Sequence, residues 1–129
     1  MKTVKLDHIY VSVTDMDRAI AFYEELFGMK ITHREKNQWA DFDLGKGCYF
    51  GLIDYKIINE KRTIGNNSIP TFWADDVDAV YEKIKKYGVK ITFPPLDLAF
   101  TTYKYYCFEC EDTEGNLIEI TNYERDHVK

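Results

Sequence analysis

Two side chains in this sequence stand among alternating apolar residues, where an ionisable group has to be accounted for. In Leu117-Ile118-Glu119-Ile120-Thr121, a two-residue period puts Leu117, Glu119 and Thr121 on one face of a strand and Ile118 and Ile120 on the other. If the isoleucine face packs on a helix, Glu119 points into whatever the first face encloses. A carboxylate withdrawn from water requires a charged partner, a metal or strong hydrogen bonds. The comparable group is His8, in Leu6-Asp7-His8-Ile9-Tyr10-Val11-Ser12-Val13, where Ile9, Val11 and Val13 form the packing face and His8, Tyr10 and Ser12 the other. This pair suits three chemistries. Both side chains can ligate a divalent metal, Glu119 can act as a general base with His8 as its partner, or the two can hydrogen-bond or ion-pair inside a binding site.

Other chemistry-bearing letters read more simply. Cys107-Phe108-Glu109-Cys110 spells CxxC, but an odd spacing in a strand sends the two thiols to opposite faces, and no second pair exists. Cys48 has no candidate partner and reads as an inert buried thiol. Asp15, Asp17, Asp75, Asp76 and Asp78 fall at two helix starts, where capping and the helix dipole account for them better than calcium does. His127 lies in a charged tail and reads as solvated. There is no glycine-rich phosphate loop and no nucleophile elbow.

The elements that position His8 and Glu119 come as one unit written twice. Residues 4–13 alternate as a strand, and Thr14 or Asp15 caps a helix to about Phe27, stopped by Gly28. Short strands follow at Met29–His33 and Gln38–Leu44, and Gly45-Lys46-Gly47 turns the chain into a strand from Cys48 to Asp54. After a connector ending in Gly65-Asn66-Asn67, the order repeats. Ser68–Ala74 reads as a strand, Asp75 or Asp76 caps a helix closed by Gly88, and Val89–Phe93 is a strand. Pro94-Pro95 opens a long loop, Lys104–Glu111 is a strand, and Asp112-Thr113-Glu114-Gly115 turns into the closing strand. The letters repeat as well: Asp15-Met16-Asp17 against Asp76-Val77-Asp78, and Gly28-Met29-Lys30-Ile31-Thr32 against Gly88-Val89-Lys90-Ile91-Thr92. Gly47 to Tyr55 lies over Gly115 to Tyr123. The expected architecture is α+β: two βαβββ modules forming a curved mixed sheet around a groove, with the helices outside. The boundaries are about 4–55 for the first module, 56–67 for the connector and 68–123 for the second, within a single domain.

A chain of 129 residues with 45% hydrophobic and 30% charged residues is of ordinary globular composition. Its formal net charge of −5 argues against nucleic acid or an anionic membrane as partner, and no apolar run is long enough to span a bilayer. Three cysteines without a secretory signal point to reduced thiols and a cytoplasmic setting. The excess of rings (10 Tyr, 8 Phe and 2 Trp) is enough to line a pocket as well as a core.

Four segments carry a resemblance to a known family. They are Leu6-Asp7-His8-Ile9, Asp17-Arg18-Ala19-Ile20-Ala21-Phe22-Tyr23 with Leu26-Phe27-Gly28, Ala74-Asp75-Asp76-Val77-Asp78, and Asp112-Thr113-Glu114-Gly115-Asn116-Leu117-Ile118-Glu119. Together they resemble the vicinal oxygen chelate superfamily of glyoxalases, bleomycin- and fosfomycin-resistance proteins and extradiol dioxygenases. Enzymes of that family typically hold a divalent metal with four side chains, one from the first and one from the fourth strand of each half. Carried through the internal repeat, the resemblance assigns those places to His8, Gly51, Ile69 and Glu119, so only two of the four can ligate; a dimer partner's side chain or His33 is the remaining source. It also implies a homodimer.

The rest of the expected groove wall is Tyr10, Ser12, Tyr49, Ile53, Thr71, Trp73, Leu117 and Thr121, with Trp39, Phe100 and Tyr103 at the rim. The favoured reading is a protein that binds a small, partly aromatic organic molecule through His8, Tyr10, Tyr49, Thr71, Trp73, Leu117 and Thr121, without need of a metal. The alternative is a metal-dependent lyase, isomerase or thiol transferase that uses His8 and Glu119, with Glu119 as ligand or catalytic base.

Overall fold

A computed structural model of the chain describes residues 6–58, 69–98 and 104–123. Phe100, Tyr103, His127 and the connector residues 59–67 lie outside the described residues. Packing divides the chain into two compact units, residues 1–63 and 64–129.

The first unit follows its letters closely. Strand β1 (His8–Val13) leads to Asp15, whose carboxylate accepts a hydrogen bond from the Arg18 amide at 3.1 Å and so caps helix α1 (Met16–Phe27). Gly28 ends the helix in the left-handed region at φ 66°, a conformation that glycine adopts without a Cβ penalty. Met16, Ala19, Ile20, Phe22, Tyr23 and Leu26 recur at helical spacing and are all buried. The face they form packs on the sheet made by β1, β2 (His33–Glu35), β3 (Trp39–Asp43) and β4 (Tyr49–Asp54), in the order β1-β4-β3-β2. β1 runs parallel to β4 and the other pairs are antiparallel. Ala40, Phe42, Phe50 and Leu52 form the helix side; Tyr23 meets Phe50 with ring centroids 4.8 Å apart, and Phe27 meets Phe42 at 5.0 Å. Each large side chain buried here is worth about 1.5–3 kcal/mol of transfer free energy, so packing, more than intrinsic propensity, holds a twelve-residue helix. A 3-10 turn over Tyr55–Ile58 follows β4.

The second unit repeats the plan. It comprises β5 (Thr71–Trp73), α2 (Val77–Lys85), β6 (Ile91–Asp97), β7 (Tyr106–Glu111) and β8 (Leu117–Asn122), with sheet order β5-β8-β7-β6. Asp76 caps α2 by accepting from the Ala79 amide at 3.0 Å. Val77 and Ile84 are buried, and Tyr81 packs on Phe108 at 5.2 Å between ring centroids. The molecule is thus α+β, two four-stranded mixed sheets each carrying one helix.

Several boundaries differ from the sequence reading. Met29–His33 was expected as a strand, yet β2 begins only at His33. The Ile31 amide donates to the Glu24 carboxylate at 3.1 Å, which ties the chain up to Ile31 to the end of α1. It joins the sheet only from Thr32, whose amide donates to the Asp41 carbonyl at 2.8 Å. Pro94-Pro95 was expected to open a loop, yet both prolines lie inside β6. β6 is the edge of its sheet and is irregular against β7, with register shifts between Ile91 and Phe93 and between Phe93 and Leu96, and edges and bulges are where a strand can spare the amide that proline lacks. β5 is also shorter than expected, but the Glu119 amide donates to the Pro70 carbonyl at 3.0 Å and the Ala74 amide to the Thr121 carbonyl at 2.9 Å, extending its pairing at both ends. No helix among the described residues is long and apolar enough to cross a membrane.

Candidate ligand-binding site

Alternation fixes what each sheet shows on the side away from its helix. In the first unit, Tyr49 pairs with His8, Gly51 with Tyr10 and Ile53 with Ser12, while Trp39, Asp41 and Asp43 come from β3 and His33 and Glu35 from β2. Three of these side chains gather into an aromatic corner. The His8 and Tyr10 rings are nearly parallel (27°) with centroids 5.7 Å apart; Trp39 meets them at 85° and 69°, with centroids 5.8 and 5.9 Å away. Such edge-to-face contacts suit the quadrupoles of the rings. Tyr10 stays 46% exposed. The His8 Nδ1 lies 2.8 Å from Asp7 Oδ2, and the His33 Nε2 lies 2.6 Å from Glu35 Oε2.

Trp39 is held by two features that the sequence did not disclose. Its indole Nε1–H donates to Asp41 Oδ2 at 2.8 Å. Its benzo end lies over Gly51, where a Cβ would stand no more than 3.0 Å from three indole carbons. The glycine in the expected ligand position is therefore the space that the indole occupies.

The second unit brings Glu119 into a different environment. Glu119 pairs with Thr71 on one side and with Glu109 on the other, so two carboxylates sit directly opposite each other across β7 and β8. The Tyr105 hydroxyl donates to Glu119 Oε2 at 2.5 Å. Burial, and then this hydrogen bond, push the Tyr105 phenol up to about 12, so it remains a donor across the physiological range. Burial, and then the Glu119 charge, push the Glu109 carboxyl above its ordinary value, against a hydrogen bond from Thr92 that acts the other way. Cys107 shares this face, pairing with Thr121, but it is fully buried and its thiol is pushed up to about 11, by burial first and then by Glu119. Trp73 is half exposed and donates to the Tyr123 carbonyl at 3.4 Å. Thr121 is buried and donates to the Tyr106 carbonyl at 3.2 Å, so its hydroxyl serves the sheet. Leu117 is half-buried opposite Glu111.

The pairing registers make the repeat exact at the level of positions. Tyr10 opposes Gly51 as Thr71 opposes Glu119, so two residues back, His8 corresponds to Ile69. Trp39, expected only at the rim, belongs to the face itself, and Asp41, Tyr105 and Glu109 are members of these faces that the sequence did not mark as site residues. Their signal was available in the alternation of Trp39–Asp43 and Lys104–Glu111, strands interior to each module.

Residues 5–120 match the Glyoxalase/Bleomycin resistance protein/Dioxygenase superfamily. The chain belongs to that superfamily. It is 24% identical over 121 residues to virulence protein STM3117 of Salmonella typhimurium, covering 92% of this chain and 84% of that one. It is 30% identical over 99 residues to the metallothiol transferase FosB of Lysinibacillus sphaericus, covering 70% of this chain and 64% of that one. The solved structure of a superfamily enzyme from Burkholderia phytofirmans shares the fold with a TM-score of 0.76 at 21% identity, covering 94% of this chain and all of that one. Against the metal that enzymes of the superfamily hold, these residues fit poorly. Gly51 and Ile69 offer no side-chain donor, Trp39 covers Gly51, and among the described residues no three His, Cys, Asp or Glu side chains are gathered to hold an ion.

Proposed function

We propose that this superfamily member binds a small, partly aromatic organic molecule against the helix-free side of its sheets, and that binding needs no metal. The observation that carries the reading is the aromatic corner of His8, Tyr10 and Trp39, a set of ring faces in two orientations beside a partly exposed phenol. Ring-lined surfaces with a few convergent polar groups are the usual make-up of small-molecule sites. Tyr49 borders this patch beside His8. In the second unit Thr71, Trp73, Leu117 and Glu119 supply corresponding positions. The protein is read as a cytoplasmic homodimer, and light scattering at about twice the 15.2 kDa chain mass tests the second part.

Untargeted mass spectrometry of small molecules that copurify with the protein is the direct test. An aromatic species retained by the wild type and lost from His8→Ala and Trp39→Leu supports the reading. Retention of the same species by both variants overturns it.

A second reading draws on the likeness to a metallothiol transferase: a divalent-metal lyase, isomerase or thiol transferase using His8 and Glu119. Titration of the chelated protein with nickel, zinc and manganese separates the two. The first reading expects no binding tighter than micromolar. Tight binding that disappears in His8→Ala and Glu119→Gln hands the site to the second.

A further inference from the structure

The helix-free side of the first unit combines its rings with several carboxylates. Asp41, Asp43 and Glu35 occupy strand positions on this side and Asp7 adjoins it beside His8, while no position on this side of the four strands is Lys or Arg. An aromatic face is electron-rich and attracts a cation. The attraction is strongest for one that gives up its water cheaply, such as an alkylated ammonium or an N-alkylated heteroaromatic ring. The hydrogen bond from the Trp39 indole to Asp41 sharpens this preference, because a carboxylate accepting from N–H pushes electron density into the ring. Gly51 makes room for the indole to lie over the strand, and the nearly parallel His8 and Tyr10 rings close the corner on a second side. A cation seated on the indole has rings in two orientations beside it and a carboxylate at the indole N–H. An anion would face the carboxylates of Asp41, Asp43 and Glu35.

We propose that this corner takes a weakly hydrated organic cation of one or two rings, stacked on Trp39 with its charge toward Asp41. This rests on the small-molecule reading above. It adds the charge of the ligand and names Trp39 and Asp41 as the residues that select it.

The test is a titration of the full-length protein with three bicyclic probes of similar size: N-methylquinolinium, neutral quinoline and 1-naphthalenesulfonate. Binding is read by calorimetry and by the NMR signals of the two indole N–H groups, assigned with Trp73→Phe. The expected result is that N-methylquinolinium moves the Trp39 signal and binds at least tenfold tighter than quinoline, with no binding by the sulfonate. Asp41→Asn, which keeps a hydrogen-bond acceptor but removes the charge, brings the two affinities together. Trp39→Leu lowers affinity at least tenfold with the circular dichroism of the fold unchanged; the wild-type titration decides the matter if that variant does not fold. Equal or tighter binding of quinoline or the sulfonate at Trp39 overturns the cation proposal and leaves the small-molecule reading standing. Shifts confined to Trp73 do the same. Absence of any response to all three, together with no copurifying molecule, removes both.

Discussion

A methyl group at position 51 would collide with the indole of Trp39, standing 2.6 Å from Cζ2 and 3.0 Å from Cζ3. Alanine elsewhere in a strand gains over glycine by restricting the unfolded chain, by about 0.5–1 kcal/mol. Here the ring must swing away, breaking its hydrogen bond to Asp41 and its contacts with His8 and Tyr10. Overpacking of this kind costs about 1–3 kcal/mol, so the clash outweighs the gain. Gly51→Ala is therefore expected to lower stability by about 1–2 kcal/mol in urea unfolding and to shift Trp39 emission in a Trp73→Phe background; unchanged emission would show that the indole does not lie over the glycine. From sequence alone Gly51 could be read as a ligand position lacking a donor. That it is also a seat for a ring was not legible, because Trp39 pairs with Ile53 and reaches Gly51 only diagonally. Glu119 was legible as a carboxylate in need of a partner. Its donor, Tyr105, immediately precedes β7 and reaches Glu119 on the neighbouring strand, a pairing that depends on a register the letters do not announce.

At the level of elements, local chemistry was the most readable. Asp15, Gly28 and Asp76 do at their helix ends what their letters announce, since capping depends only on neighbours in sequence. The turn into β8 is a stronger case. Asp112 is 3% exposed, and its carboxylate accepts from the amides of Glu114 and Asn116 at 2.8 and 2.9 Å and from Asn116 Nδ2 at 3.0 Å. Removing it leaves these donors without their acceptor in a partly buried turn, at about 1–3 kcal/mol for such losses. Asp112→Ala is expected to cost about 2–3 kcal/mol in urea unfolding and Asp112→Asn clearly less; equal costs would mean that the turn does not rest on this acceptor. The strand β7 settles the CxxC in the same local terms. Cys107 and Cys110 point to opposite faces, both are buried, and burial pushes their thiols up to about 11 and about 12. Cys48, which the sequence reading has as an inert buried thiol, is only partly buried, because it sits at the turn into β4. Of three thiols, Ellman's reagent should therefore titrate only Cys48 in the folded protein and all three in denaturant, without a Cys107–Cys110 disulfide under mild oxidation. The illegible elements were those governed by their neighbours. The stretch from Met29 to Ile31 is claimed by Glu24, and Pro94-Pro95 is admitted because its strand lies at an edge.

Across the whole molecule, duplication made the fold legible, since two copies of one alternating pattern fix the same strand order in each unit without any long-range information. It did not make the copies equivalent in charge. In the second unit Cys110, Cys107 and Tyr105 all hold their protons more tightly than in an unfolded chain, with folded values of about 12, about 11 and about 12 against ordinary values of 9, 9 and 10. Burial is the leading cause in each case, followed by neighbouring carboxylates: Asp112, Glu109 and Glu111 for Cys110, Glu119 and Glu109 for Cys107, and Glu119 for Tyr105. The sign follows from proton linkage. Between the two sets of values the unfolded chain has released protons that the folded chain still holds, so stability falls as pH rises. These groups contribute fully below about pH 9, and their contribution is lost progressively as pH climbs through 10 toward 12. Urea midpoints measured from pH 8 to 11 should therefore stay level to about pH 9 and then decline. Cys110→Ala removes one releasing group and should make that decline shallower, as Tyr105→Phe should above pH 10. A midpoint at pH 11 equal to that at pH 8 would show that the folded protein shelters these groups no better than the unfolded chain does.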